Sequence, residues 1–344
     1  MNDAPSTTAH NHRVALVRSP AFLGHETGAH VENPRRLLAI DAELKRQGLF
    51  TGRPEISFAP ASREAVERVH DARYLDLLEQ VSEAGGAWLD ADTMIGPDSY
   101  DVASLAAGAG IAAVDAALAG TSSRSMVLAR PPGHHATGQG GMGFCLINTI
   151  AVAAAHALTR GLVRVAIVDW DVHHGNGTQD IFYATDRVLF CSVHQSPLYP
   201  GTGDVAEQGS GAGWGYTLNV PLPPGEGDAT YLRVFDKVIL PRVREYEPQL
   251  VLISAGFDAH EVDPLASMRV TESGFREMAA RTIATADETA AAGVVAFLEG
   301  GYDPNALARS VAEVVRALDT GPDGEYDDRD IHRDQDNEET SVRP

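Results

Sequence analysis

The chain has 344 residues, of which 44% are hydrophobic and 22% charged, and its formal net charge is -21. A chain this long buries a full core, and open α/β domains reach this size as one unit. The negative balance argues against direct nucleic-acid binding, which needs basic surface; it confers solubility or steers a cationic substrate such as a lysine-rich peptide or a polyamine.

The chain opens with MNDAPSTTAHNHR, which has no basic start leading into an apolar stretch, so no signal peptide is expected. Residues 1–12 are expected to be disordered. A first strand is predicted over 14–17, followed by the polar loop GHETGAHVENPRRL, where Pro34 suits the first turn of a helix over 34–46. His25, His30 and Arg36 in this loop could reach a site or simply be solvated. Helices are predicted over 63–69 and 72–84. A linker, GGAWLDADTMIGPDSYD, then leads into an alanine-rich helix over 101–119, whose small residues suit close packing against a sheet. No apolar run approaches the ~20 residues that a membrane span needs, so no membrane partner is expected.

Residues 126–129 read as a strand running into RPPGHHATGQGGMGFCLIN, a loop too rich in glycine and too apolar for a surface linker. A helix over 148–158 and strands over 165–168 and 188–193 follow, the last leading into HQSPLYPGTG. Strand 216–220, helix 229–246, strand 250–255, helix 272–291, strand 294–298 and helix 304–318 complete the pattern. Strands alternating with helices predict an α/β fold, a single domain over 13–320 with a mainly parallel central sheet and helices on both faces. From Gly321 onward, nine acidic and three basic residues with almost nothing apolar predict a disordered acidic tail over 321–344. The only cysteines, Cys145 and Cys191, point to a reducing compartment, by default the cytoplasm, rather than a disulfide scaffold.

Four predicted strands end in reactive groups: Gly133-His134-His135, Asp169 to His173, Gly256-Phe257-Asp258 and Gly300-Gly301-Tyr302. Parallel strands put such loops on one rim. In VAIVDWDVHHGNGT, side-chain alternation would turn Asp169, Asp171 and His173 the same way. Two carboxylates and an imidazole there would desolvate badly without a compensating charge. A divalent cation is one answer; an acidic cluster that caps the following helix through Asn176 or Thr178 is the other. Asp171, His173 and Asp258 supply three ligands and leave a position open, as catalytic zinc sites do, and the set also suits Fe(II), Co(II) or Mn(II). His134 and His135 could face one cavity, one taking a proton from the attacking water and the other supporting charge. Asp169 and Asn176 are the natural acceptors for their far nitrogens. Tyr302, after two glycines, could donate to an oxyanion or pack locally. Gly143, Phe144 and Tyr199 could wall an apolar passage or be plain core residues.

The segments RPPGHHA, GFCLIN, VDWDVHHGNGTQ, SVHQSPLYPGTG, SAGFDAHEVDPL and LEGGYDP together resemble the histone deacetylase superfamily, and its bacterial class II-like amidohydrolases in particular, over about 24–318. The resemblance implies the arginase–deacetylase fold and a zinc-dependent amidohydrolase that removes an acetyl or other short acyl group from the ε-amino group of lysine in proteins or peptides. It implies zinc held by Asp171, His173 and Asp258, with His135 as general base and acid and His134 as its electrostatic partner. Asp169 and Asn176 would orient the pair, and Tyr302 would polarise the acyl carbonyl. The Gly143 carbonyl would hold the substrate amide while Phe144 flanks the acyl-lysine stem. A structural potassium ion is implied near Asp169, Asp171, His173, Ser192 and Val193, partly through backbone oxygens. Asn176 stands where class I relatives carry Asp, and the class II group shares it. Leu265 stands where polyamine-selective relatives carry a gatekeeping Glu, which tilts the substrate away from acetylated polyamines, although Asp98, Asp101 or Glu261 could substitute. Deacylation of acetylpolyamines or other small amides is the rival activity. An acyl-lysine-binding module without turnover is the rival outside catalysis, disfavoured because no ligand and no Tyr302 is missing.

Overall fold

The computed structural model describes residues 13–320 apart from 291. The disorder expected for 1–12 and for the acidic tail over 321–344 concerns segments outside the described residues. In chain order the strands are β1 (Ala15–Val17), β2 (Ala87–Trp88), β3 (Met94–Ile95), β4 (Arg124–Val127), β5 (Val165–Asp169), β6 (Val188–Gln195), β7 (Thr217–Leu222), β8 (Leu250–Ala255) and β9 (Val294–Leu298). Seven of them form one sheet in the order β1-β4-β9-β8-β5-β6-β7, and every neighbouring pair is parallel. Strands β5, β8 and β9 are apolar runs rich in β-branched residues and buried along their whole length. That composition is what a parallel strand covered on both faces requires. Because all seven strands run the same way, the loops leaving β4, β9, β8, β5 and β6, five adjacent strands, emerge on one rim.

The helices are α1 (Arg35–Arg46), α2 (Arg63–Glu67), α3 (Ala72–Glu83), α4 (Ser99–Leu118), α5 (Thr149–Thr159), α6 (Asn176–Phe182), α7 (Asp228–Val234), α8 (Leu240–Tyr246), α9 (Glu272–Thr289) and α10 (Pro304–Thr320). One group pairs α4 with α5 against β4, β9, β5 and β8; the other stacks α1, α10 and α9, with α10 lying on β4. The expected α/β architecture, one parallel sheet with helices on both faces, is therefore what the chain adopts. Helix α4 is longer and more apolar than the sequence reading allowed. By length and composition it could cross a membrane, but most of it is buried inside the protein. Its small residues explain why: a Cβ on Gly108 would sit 1.8 Å from the Ala59 carbonyl oxygen, so only glycine lets this helix approach the preceding segment.

Several local features departed from the expected pattern. Residues read as a linker contain the β2–β3 hairpin, whose two-residue strands are too short to show a period of two. Helix α6, absent from the expected list, begins directly after the VDWDVHHG segment. The helix expected over 229–246 is divided by a π-helical turn over Phe235–Ile239 ahead of Pro241, which has no N–H to continue the ladder. Asn148, expected as the first residue of the helix, instead caps α5, accepting from the Ala151 N–H at 3.0 Å.

Candidate active site

Each reactive segment begins where a strand stops. The ladder of β5 ends at Asp169, and the chain then turns through its own carboxylates. Asp169 Oδ1 accepts from the Asp171 N–H at 3.1 Å, and Asp171 Oδ1 accepts from the His173 N–H at 2.9 Å. These turns, rather than a prolonged strand, aim Asp171 and His173 toward the loop after β8. There Asp258 Oδ1 accepts from the Val172 N–H at 2.9 Å, and its Oδ2 lies 3.0 Å from His173 Nδ1. The same nitrogen is 3.2 Å from Asp171 Oδ1, and one ligating atom from each of the three residues lies within 4.8 Å of the others. Two glycines make room: a Cβ on Gly256 would lie 2.1 Å from Asp171 Oδ2, and one on Gly300 would lie 2.1 Å from Asp258 Oδ2.

All three residues are buried. Burial disfavours a charged imidazole, yet Asp258 and Asp171 outweigh it and hold the His173 pKa up at about 10. Burial and the neighbouring Asp171 charge push the Asp258 carboxyl upward. Two carboxylates around one imidazole nitrogen, all out of water, demand a positive charge between them. Two oxygens and one nitrogen form a donor set that a divalent cation satisfies with a coordination position to spare.

Beside this cluster the imidazoles of His134 and His135 lie with ring centroids 4.1 Å apart. His134 Nδ1 is 3.0 Å from Asp169 Oδ2, and His135 Nδ1 is 2.7 Å from Asn176 Oδ1. The Asn176 amide is fixed at its other end, where Nδ2 donates to Met142 Sδ at 3.3 Å. An amide oxygen only accepts, so His135 carries its proton on Nδ1 and leaves Nε2 free to take one. The unequal partners separate the two rings. Burial alone would lower the His134 pKa, but Asp169 and Asp171 raise it well above 6.5. Burial lowers His135 well below 6.5, and the neighbouring His134 and His173 charges lower it further. The helix-capping alternative finds no support, since the N-cap of α6 is Gly175, which has no side chain to cap it, and Thr178 bonds Asn148 instead.

A cavity of about 220 Å³ runs down to these groups, lined by Asp92, His135, Gly143, Phe144, His173, Leu198, Tyr199, Leu265 and Tyr302. Phe144 meets Tyr302 edge-on at 5.6 Å, and Tyr199 meets His135 edge-on at 5.3 Å. Gly143 has φ +54°, and a Cβ there would lie 2.5 Å from His135 Cδ2. Phe144 is itself left-handed, with φ +71°, a conformation that costs a non-glycine residue about 1–2 kcal/mol. Its N–H donates to Thr93 Oγ1 at 3.2 Å, which ties this strained wall to the β2–β3 hairpin.

The sequence-predicted residues thus converge, and Leu265 and Tyr199 stand in the cavity wall as expected. Ser192 and Val193 lie on β6 beside Asp169, with Ser192 Oγ 2.9 Å from His194 Nδ1. No described donor bonds the buried main-chain carbonyls of Asp171 and His173, which leaves oxygens free for a monovalent cation. The acid in the cavity wall is Asp92, not Asp98, Asp101 or Glu261. Of the three loop residues, His30 and Arg36 reach the site, whereas His25 is engaged with Ser99 and Glu32 away from it. His30 meets Phe144 edge-on at 4.5 Å, His25 lies 3.6 Å from the buried Glu32, and the Arg36 guanidinium sits 5.1 Å above the Tyr302 ring. Sequence reasoning missed Asp92, Met142, Asp263 (which accepts from the Tyr302 N–H at 2.7 Å) and the buried Glu299. The only sequence signal for the last was its place directly after an apolar strand.

Comparison with known proteins agrees with this geometry. Residues 30–318 match the histone deacetylase domain. The chain is 45% identical over 290 residues to a probable deacetylase of Archaeoglobus fulgidus, covering 83% of this chain and 80% of that one. It is 44% identical over 288 residues to the histone deacetylase-like amidohydrolase of Pseudomonas aeruginosa, covering 83% and 74%. The crystal structure of the HDA15 HD domain superposes with a TM-score of 0.85 at 37% identity, covering 89% of this chain and 88% of that one.

Proposed function

The chain belongs to the histone deacetylase family and has its arginase–deacetylase fold, and from that premise we propose a zinc-dependent hydrolase that removes acetyl or another short acyl group from the ε-nitrogen of lysine in peptides or proteins. Deacetylase chemistry is the family's; the lysine substrate, the zinc and the residue roles are the proposal. The observation that carries it is the meeting of Asp171, His173 and Asp258 with His135 and Tyr302 around one narrow cavity. Residues 13–320 form the deacetylase domain in this reading, and the two buried, unpaired cysteines accord with a reducing cytoplasm.

Asp171, His173 and Asp258 would hold the zinc, which when bound supplies a Lewis acid for the acyl carbonyl and lowers the pKa of water. The chain's own groups do the rest. The Gly143 carbonyl accepts from the substrate amide N–H, and Phe144 and Tyr199 flank the alkyl stem and exclude water from it. His135, with Nδ1–H committed to Asn176, takes a proton from the attacking water at Nε2 and returns it to the departing amine. His134, kept protonated beside Asp169, balances the negative charge that grows during attack. Burial, and then Asp258, raise the Tyr302 phenol well above 10, so it stays a proton donor and gives its hydrogen bond to the developing oxyanion. A structural potassium ion would use Asp169, Asp171, His173, Ser192 and Val193, most of them through main-chain oxygens.

Leu265 in the cavity wall, with no carboxylate at that position, favours a lysine side chain over an acetylated polyamine. The test is kcat/KM on an acetyl-lysine peptide against acetylspermidine. A higher value for the peptide is expected; a clear preference for acetylspermidine would overturn the lysine reading and point to Asp92 as the group that holds the second amine.

The histidine partners carry a second expectation. Asn176→Asp puts a carboxylate oxygen where an amide oxygen lies 2.7 Å from His135 Nδ1. The added charge stabilises the imidazolium, so the His135 pKa rises and the acidic limb of the kcat/KM profile moves to higher pH. An unmoved limb in a variant that still holds metal would remove Asn176 as the partner of His135.

A further inference from the structure

Glu299 is the first residue after β9, three positions before Tyr302, and its side chain is buried. Its Oε2 accepts from the main-chain N–H groups of Gly133 at 2.7 Å and His134 at 3.2 Å, 166 and 165 residues away in the chain. Glu299 therefore spans from the loop that carries Tyr302 to the loop that carries the histidine pair. A second connection runs between the same two loops. Arg36 donates to the Glu299 carbonyl and, through Nε, to the Gly301 carbonyl at 2.7 Å. Its Nη1 bonds Glu32 Oε1 at 3.1 Å, and Glu32 in turn holds Arg130 through two bonds of 2.5 and 2.7 Å. Arg130 opens the histidine loop. The two connections close a buried ring around both catalytic segments.

Packing alone does not account for a carboxylate here. Burying one is costly even with the His134 charge nearby to offset part of the cost, and an apolar side chain of the same size would fill the space more cheaply. What an apolar side chain cannot do is accept two N–H bonds from the backbone on which His134 and His135 ride. Gly133 has no slack of its own, since a Cβ there would lie 2.7 Å from the Thr149 nitrogen. We propose that Glu299 is a positioning residue that sets the separation between the histidine loop and the Tyr302 loop, and so aligns the proton-transferring imidazole with the oxyanion donor. The inference rests on the roles proposed above for His135 and Tyr302.

The test compares Glu299→Leu with Glu299→Gln in the zinc-loaded protein. Misalignment of catalytic groups by about 1 Å costs on the order of a hundredfold, so Glu299→Leu should lower kcat by about 10- to 100-fold, with KM and bound zinc unchanged. Glu299→Gln keeps an oxygen that can accept both N–H bonds, and should recover most of that loss. In a Tyr302→Phe background Glu299→Leu should cost far less, because the alignment it disturbs no longer matters. Amide hydrogen exchange at Gly133 and His134 should quicken in Glu299→Leu and not in Glu299→Gln. That readout needs no turnover, so it tests whether Glu299 holds the histidine loop even if the wild-type protein proves inactive on acetyl-lysine, a result that would sink the proposed function. A Gln variant as damaged as the Leu variant would overturn the proposal, because it would make charge rather than hydrogen bonding the cause. An equal loss with and without the Tyr302 hydroxyl would overturn it as well. Should Glu299→Leu fail to fold, Glu299→Met takes its place beside Glu299→Gln: a loss in kcat that the Gln variant recovers supports the proposal, and no loss in the Met variant, or an equal loss in both, refutes it.

Discussion

His135→Ala is expected to lower kcat by about 10²–10⁴-fold, the usual contribution of a positioned acid–base group, while the protein keeps its fold and its metal. The expectation follows from the two environments. His135 bonds a neutral amide and sits beside the other imidazoles, so its pKa is pushed down and the free base is available at working pH. His134 bonds the Asp169 carboxylate, is pushed up, and keeps its proton. A group that must shed and regain a proton in each turnover cannot be the one held protonated. His134→Ala should therefore cost less in kcat than His135→Ala, since it removes a charge that stabilises the transition state but not the proton acceptor. Steady-state kinetics on both variants, with zinc content measured alongside, checks this. A larger loss from His134→Ala would reverse the two roles.

Tyr302→Phe should lower kcat by roughly 10²–10³-fold, the loss typical of one oxyanion donor. Only a hydroxyl is removed, and the ring contacts with Phe144 and the Arg36 guanidinium remain, so fold and KM should change little. Because burial and the nearby Asp258 charge keep the phenol protonated throughout the accessible pH range, the variant's pH profile should keep the wild-type shape. Near-normal kcat in Tyr302→Phe would mean that another group receives the oxyanion charge.

Much of this site was legible in the sequence because its parts are local. A buried parallel strand announces itself as a short apolar run. The residues that follow it lie at the ligand-binding end whatever else the chain does. Asp171, His173, Asp258, His134, His135 and Tyr302 all follow such runs, and they converge. What could not be read depends on pairs of residues far apart in the chain. Glu299 meets Gly133 only because β4 and β9 are neighbours in the sheet, and Glu32 meets Arg130 across the neighbouring β1 and β4 side. The rim acid was misplaced for a related reason. Asp98 immediately precedes α4 and Asp101 lies within it, while Asp92 sits in a hairpin whose two-residue strands carry no periodic signal. The predicted strand over 165–168 falls one residue short of β5, but the alternation does not continue past Asp169. Asp169 and Asp171 bend the chain through their own hydrogen bonds, and that turn brings His173 to Asp258.

The reading stands or falls on the buried Asp171, His173 and Asp258 set. The most direct measurement removes metal with a strong chelator, verifies its absence by elemental analysis, and follows hydrolysis of an acetyl-lysine peptide as Zn(II) is returned. Activity should be abolished in the stripped protein and should rise with added zinc to a plateau at one equivalent, with Co(II) also restoring it. Full hydrolysis by protein verified to be free of metal would contradict the proposed chemistry.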